Sequence, residues 1–158
     1  MDRDAEGSAR SERCPMAHKG LRFYQARAAY WRAKMGAGLD VSGSVKAGQS
    51  CPRYLANLWH SKAHAARRAY EQWFRRTYEK WECIHRHEGA WNDPNPPYWG
   101  GLQMTRWFQQ TYGPEFYRRW GTADRWPVWA QLVTAERAWR SDGDYGQWGT
   151  APECGLPT

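Results

Sequence analysis

A glutamate, Glu88, stands where a long helical pattern ends at Gly89, within the stretch WECIHRHEGAWNDPNPPYWGGLQM of residues 81–104. Carried at 100° per residue, the pattern puts Glu88 on the stripe that holds Trp73, Trp81 and Ile84. A carboxyl group facing an apolar, Trp-lined wall is expected to keep its proton toward neutral pH, because desolvation disfavours the charged form. Such an acid can protonate a departing oxygen. Position alone leaves a second reading open, a helix-terminal glutamate on a solvated face, since Glu is seldom buried. The candidate second carboxylate is Asp93, in a proline-rich loop where Asp before Pro also favours a turn.

The elements that must position these groups can be read from the spacing of apolar residues. Residues 1–18 carry charge, Ser and Gly with almost no apolar periodicity and read as a disordered arm. Leu21, Tyr24, Ala28, Trp31 and Met35 form one helix face, ended by Gly36 and Gly38. Residues 36–52 hold four Gly and three Ser and read as a flexible connector. Pro52 opens a second helix, entered through Ser50 or Cys51, whose stripe runs through Leu55, Trp59, Ala63, Ala66, Tyr70, Trp73, Thr77 and Trp81. Two helices joined by a connector predict an antiparallel hairpin over residues 19–80. A single helix from 53 to 88 would be about 54 Å long, and a kink or break near residues 78–82 is expected.

After Gly89, Pro94, Pro96 and Pro97 exclude a helix. Tyr98 to Met104 suits a turn or a short irregular β segment. Further helices are predicted at 104–112, 114–120 and 126–140, with a loop tail. The expected class is therefore mainly α with a small β element, an α-helical hairpin of residues 19–80 preceding a compact domain of residues 81–158.

Cysteine and histidine spacing bears on metal binding. Cys83 and His87 share one helix face and His60 and His64 another, but neither pair has a third ligand at helical or loop spacing. No metal site and no cofactor is expected. Four cysteines allow three disulfide connectivities.

The order Trp81, Glu88, Gly89, Trp91, then Tyr98, Trp99, Gly100, Gly101, Leu102, Gln103 and Met104, resembles the catalytic core of the resuscitation-promoting factors and related transglycosylase-like domains. The stretch AQLVTAERAW at 130–139 resembles that family's late helix, and the likeness covers residues 81–156. The resemblance implies a small lysozyme-like α+β fold and Glu88 as the catalytic acid. It further implies cleavage of the β-1,4 bond between N-acetylmuramic acid and N-acetylglucosamine in peptidoglycan. The family's Cys before the glutamate is here His87, while Cys83 stands one turn earlier on the same face. The resemblance thus implies a Cys83–Cys154 disulfide, leaving Cys14 with Cys51. The family's Thr-Gly-Asn-Gly loop is replaced by Asn-Asp-Pro-Asn-Pro-Pro, so none of its loop contacts carries over.

For a sugar substrate, Gln103 is the best second polar residue, because its amide both donates and accepts. Gly100 and Gly101 would let backbone approach a ligand. Trp91, Tyr98 and Trp99 are candidate stacking rings, each of which could equally serve as core.

Charge divides the chain. Sixteen Lys and Arg face seven Asp and Glu in residues 1–80, against seven and nine in 81–158. Lys62, Arg67, Arg68, Arg75, Arg76 and Lys80 make a cationic helix suited to anionic cell-wall polymers, or simply to a solvated face. A charge-driven nucleic-acid binder is a rival reading, but no nucleic-acid fold signature accompanies the charge. A two-carboxylate muramidase using Glu88 and Asp93, and a non-catalytic wall-binding or structural protein, are the others. No run of about 18 apolar residues offers a membrane span. The N-terminus lacks the apolar stretch of a secretory signal, and a secreted, wall-associated or phage-associated protein is expected.

Overall fold

The computed structural model describes residues 17–37 and 52–158. Most of the predicted arm, the interior of the predicted connector and the Cys14–Cys51 pairing lie outside the described residues. Two compact units divide the chain, Met1–Glu71 and Gln72–Thr158.

In the first unit, α1 spans Ala17–Lys34 and so begins inside the stretch read as a disordered arm. The helix α2 spans Pro52–Glu88, and its residues to Glu71 belong to this unit. The predicted antiparallel hairpin is corrected by the ring contacts. Tyr24 meets His60 edge-on at 4.8 Å and Trp31 meets Tyr70 at 5.1 Å, so advancing along α1 also advances along α2. The two helices run parallel, with Ala28 and Ala63 buried on their facing stripes.

The expected break near 78–82 is absent, the helix running on without interruption to Glu88. Residues 71–88 contain no Gly or Pro to interrupt the hydrogen-bond ladder, and Trp81 and Ile84 are fully buried on the stripe that continues through them.

The second unit takes residues 72–88 of α2 and adds a two-residue antiparallel hairpin, β1 (Tyr98–Trp99) with β2 (Met104–Thr105). Its register pairs Tyr98 with Thr105 and Trp99 with Met104. Three helices follow: α3 (Arg106–Tyr112), α4 (Pro114–Trp120) and α5 (Val128–Asp142). The hairpin claims Met104 and Thr105 from the predicted 104–112 helix; Thr105 instead caps α3, its Oγ1 accepting from the Phe108 N–H at 3.1 Å. Short 3-10 turns occupy Ala123–Arg125 and Ala151–Cys154, the latter in the tail predicted as loop.

This unit is mainly helical, and α5 runs through its middle, with every residue from Ala130 to Ala135 buried. Around it pack Trp81, Ile84, Leu102, Phe108 and Trp148. The abundant tryptophans are thus largely core material. Lys80, counted on sequence among the cationic face, is drawn inward: Glu136 accepts from Lys80 Nζ at 2.8 Å and from Trp81 Nε1 at 2.7 Å, and the ammonium lies 3.5 Å from the centre of the Trp139 ring. Among the described residues no helix is long and apolar enough to cross a membrane.

One ion pair gives the unit a pH signature. Glu115, in the first turn of α4, meets Arg137 of α5 at 2.7 Å. Burial works to raise the Glu115 carboxyl, but the Arg137 hydrogen bond, its own backbone N–H and the charges of Arg137 and Arg118 together hold it below its ordinary value. A carboxylate depressed in the folded state stabilises above its unfolded pKa and loses that contribution as pH falls through its folded pKa. Glu115→Gln is therefore expected to cost about 0.5 kcal/mol at neutral pH, because the pair is partly exposed and screened. At pH below the folded pKa the variant and the parent should converge, as urea midpoints at both pH values will read.

Candidate functional site

Glu88 is the last residue of α2, half-buried, one turn beyond the fully buried Ile84. Its Oε1 accepts a hydrogen bond from Thr150 Oγ1 at 2.6 Å. Oε2 takes no hydrogen bond from any described residue. The carboxylate is thus gripped by one oxygen and open at the other, an arrangement that fixes orientation while leaving an atom to exchange a proton.

Thr150 was not legible in the sequence as a partner of Glu88, because 62 residues separate them. The signal that bears on it is indirect. Cys83 and Cys154 form a disulfide with Cα atoms 5.8 Å apart, and this bond fastens the tail that carries Thr150 to the helix that carries Glu88. Closing a loop of 71 residues stabilises by about 4 kcal/mol in the chain-entropy model. Replacing both cysteines by Ser should lower the unfolding free energy by about that amount. Non-reducing peptide mapping of the parent should recover the Cys83 and Cys154 peptides joined, and two free thiols there would contradict the bond.

The loop after Gly89 is knotted by Asp93. Its Oδ1 accepts from the Asn95 backbone N–H at 3.2 Å and from Asn95 Nδ2, and its Oδ2 accepts from Gln103 Nε2 at 2.9 Å. Its carbonyl accepts from the Gly100 N–H at 2.9 Å. Both carboxylate oxygens are committed to holding the loop. Gln103 adopts a positive φ of 47° and spends the same Nε2 on the Gly100 carbonyl at 3.1 Å, which leaves its amide oxygen for other partners. Gly89, the residue after Glu88, lies against this knot, since a Cβ there would stand 3.2 Å from Gln103 Nε2 and 3.3 Å from Asp93 Oδ2.

Gly101 is buried, and the structure gives it a packing role. A Cβ at this position would lie 2.7 Å from both His85 Nδ1 and the Trp91 ring. Those two side chains stack at 4.0 Å, and His85 Nδ1 donates to the Gly101 carbonyl at 3.1 Å. Trp91 is half-buried against the core. Of the three candidate stacking rings, Tyr98 is the exposed one, at 48%, and Trp99 is half-buried beneath the Arg106 guanidinium.

Beneath the loop lies Gln131, fully buried in α5. Its Oε1 accepts from the Gly101 N–H at 2.9 Å, while Nε2 donates to the carbonyls of Trp91 at 2.8 Å and Ala123 at 2.9 Å. A second buried glutamine, Gln109, links the Met104 carbonyl at 2.7 Å to the Ala123 N–H at 3.0 Å. Trp148 Nε1 donates to the Leu102 carbonyl at 2.9 Å. These three side chains satisfy the backbone of a turn too irregular to satisfy itself.

Of the sequence-predicted residues, Asp93 and Gln103 are hydrogen-bonded to each other beside Gly89, and Gly101 packs against His85 and Trp91, whereas the Glu88 carboxylate is hydrogen-bonded to Thr150. The unit of residues 1–71 has its own recess, lined by Tyr24, Arg27, Trp31, His60, His64 and Arg67. Comparison with protein-family models, with curated proteins and with solved structures finds no match.

Proposed function

We propose that the unit of residues 72–158 cleaves peptidoglycan glycan strands at the β-1,4 bond between N-acetylmuramic acid and N-acetylglucosamine, as a lytic transglycosylase with Glu88 as its single acid and base. The reading joins the motif order of residues 81–104 to one observation, the unequal employment of two carboxylates. Asp93 has both oxygens engaged within its own loop, whereas Glu88 keeps Oε2 open.

A glycosidase that hands the sugar to water needs a second carboxylate across the scissile bond, either as nucleophile or as base. A single carboxyl group suffices where the sugar supplies its own nucleophile. Glu88 first gives its proton to the departing glycosidic oxygen. The resulting carboxylate then takes the proton of the muramoyl 6-hydroxyl as that oxygen closes on the anomeric carbon. The product is a 1,6-anhydromuramoyl end, and Glu88 leaves the cycle protonated as it entered. Thr150 keeps Oε1 in place through both proton transfers, so that one oxygen serves as acid and base. Tyr98, with its exposed ring, and the free amide oxygen of Gln103 are the groups assigned to the glycan. The exposed arginines of α2, Arg68, Arg75 and Arg76, are assigned to anionic polymers of the wall.

Mass spectrometry of muropeptides released from purified peptidoglycan tests the reading. Anhydro ends support it. Reducing ends would favour the two-carboxylate muramidase, for which the nearness of Asp93 to Gly89 is the supporting contact. No release, with wall binding retained, would reduce the protein to a glycan-binding module.

A further inference from the structure

Two sulfurs and a ring nitrogen converge at the C-terminal end of α2. Cys83 and His87 stand one helical turn apart, and the tail returns Cys154 to them, so that each Sγ lies 3.9 Å from His87 Nδ1. All three donor atoms lie within 4.8 Å of one another. Spacing along the helix offered only the first two; the third comes from 67 residues beyond His87, which no local pattern can reveal. Two cysteines and a histidine are the donor set that zinc takes.

The far side of the ring is also occupied. His87 Nε2 lies 3.4 Å from a carboxylate oxygen of Glu153. Ligating histidines generally hold such an outer partner, which keeps the proton on the remote nitrogen and turns the other lone pair to the metal. In the oxidised chain Nδ1 lies 2.9 Å from the Cys83 carbonyl, and the cysteines are bonded to each other, so neither sulfur is a thiolate. His87 is exposed and both cysteines are half-buried, which leaves the group open to an ion from solution.

We propose that the chain, once its Cys83–Cys154 bond is reduced, binds one zinc ion through Cys83, His87 and Cys154, with water as fourth ligand and Glu153 holding the imidazole. The metal then replaces the disulfide as the tie between the helix of Glu88 and the tail of Thr150. A dithiol supplies the two electrons and two protons that open the bond, and closes to its own disulfide. Zinc then displaces one proton from each thiol, while His87 ligates through Nδ1 as the neutral Nε2–H tautomer and gives up the Cys83 carbonyl. Two sulfurs each about 2.3 Å from a tetrahedral ion stand about 3.8 Å apart, a separation that side-chain rotation supplies at a Cα spacing of 5.8 Å.

The site is independent of the chemistry proposed for Glu88, and its test needs no activity. The full chain carrying Cys14→Ser and Cys51→Ser retains only these two sulfurs among its cysteines. It is reduced with a trialkylphosphine, which takes the oxygen of water to become the phosphine oxide while the thiols take the protons. Cobalt(II) is then titrated as a coloured substitute for zinc. The expected result is one cobalt per chain with a thiolate charge-transfer band and tetrahedral ligand-field bands, all displaced by zinc and absent from the oxidised protein. Glu153→Gln, which removes no ligand, should weaken binding about 10-fold to 100-fold, and His87→Ala should weaken it further. Far-UV circular dichroism of each variant confirms that the helices remain. A reduced chain that binds no cobalt, or a folded His87→Ala that binds it as tightly as its parent, overturns the proposal.

Discussion

Glu88→Gln should abolish the release of muropeptides from peptidoglycan, lowering the rate by at least about 100-fold to 10,000-fold, the usual worth of a positioned acid or base. The amide preserves the shape of the side chain and keeps an oxygen that can accept from Thr150 Oγ1, so the hydrogen bond seen at 2.6 Å need not be lost. What disappears is the proton, and with it both halves of the cycle. Folding and retention on insoluble wall should be unchanged, which separates a chemical defect from a structural one.

Asp93→Asn supplies the contrast. Asp93 accepts at both oxygens, and an amide nitrogen in place of one of them would face a donor from Asn95 or Gln103. The cost should appear as a loosened loop, about 1 kcal/mol for one lost hydrogen bond, with cleavage reduced far less than by Glu88→Gln. An inactive Asp93→Asn together with reducing-end products would sink the single-carboxylate mechanism and establish the two-carboxylate one.

Periodicity in a sequence fixes which face of a helix is buried and not which way the helix runs. The stripe through Trp73, Trp81 and Ile84 foretold the buried face of α2, because helical geometry fixes faces, and Glu88, on the same phase, is half-buried. Direction is another matter. Seventeen residues separate the end of α1 at Lys34 from Pro52. Fully extended they reach about 56 Å, against about 27 Å for an 18-residue helix. Such a connector permits both antiparallel and parallel pairing, and the ring contacts of Tyr24 with His60 and Trp31 with Tyr70 decide for the second. The expected kink or break rested on length alone, and no Gly or Pro within residues 71–88 supplied a cause for it. Asp93 was legible as a turn residue because Asx chemistry is local. Thr150 and the packing of Gly101 between His85 and Trp91 were not, since each depends on a segment returning from far along the chain, and the second sulfur beside His87, that of Cys154, was reached only through the resemblance.

Gln131 belongs with those hidden residues, and replacing it should have the largest effect on stability. Gln131→Leu is expected to lower the unfolding free energy of this unit by about 5 kcal/mol, since each orphaned buried polar group costs about 1 to 3 kcal/mol and the bonds themselves are lost as well. The Gly101 N–H and the Trp91 carbonyl have the glutamine as their hydrogen-bond partner, at 2.9 and 2.8 Å. The Ala123 carbonyl also receives the Trp126 N–H and would suffer less. Leucine fills a similar volume, so the loss measures the polar contacts and not a cavity. Gln110→Leu, at an exposed position of α3, is the control and should change stability by less than about 0.5 kcal/mol. Urea unfolding followed by tryptophan fluorescence gives both values. Because Gln131 holds the two ends of the loop that carries Asp93, Tyr98 and Trp99, the surviving folded fraction should also bind glycan more weakly. A Gln131→Leu protein less than about 1.5 kcal/mol below its parent, with an unchanged denaturant slope, would mean that water or a shifted backbone satisfies these groups and that the loop is not held from beneath.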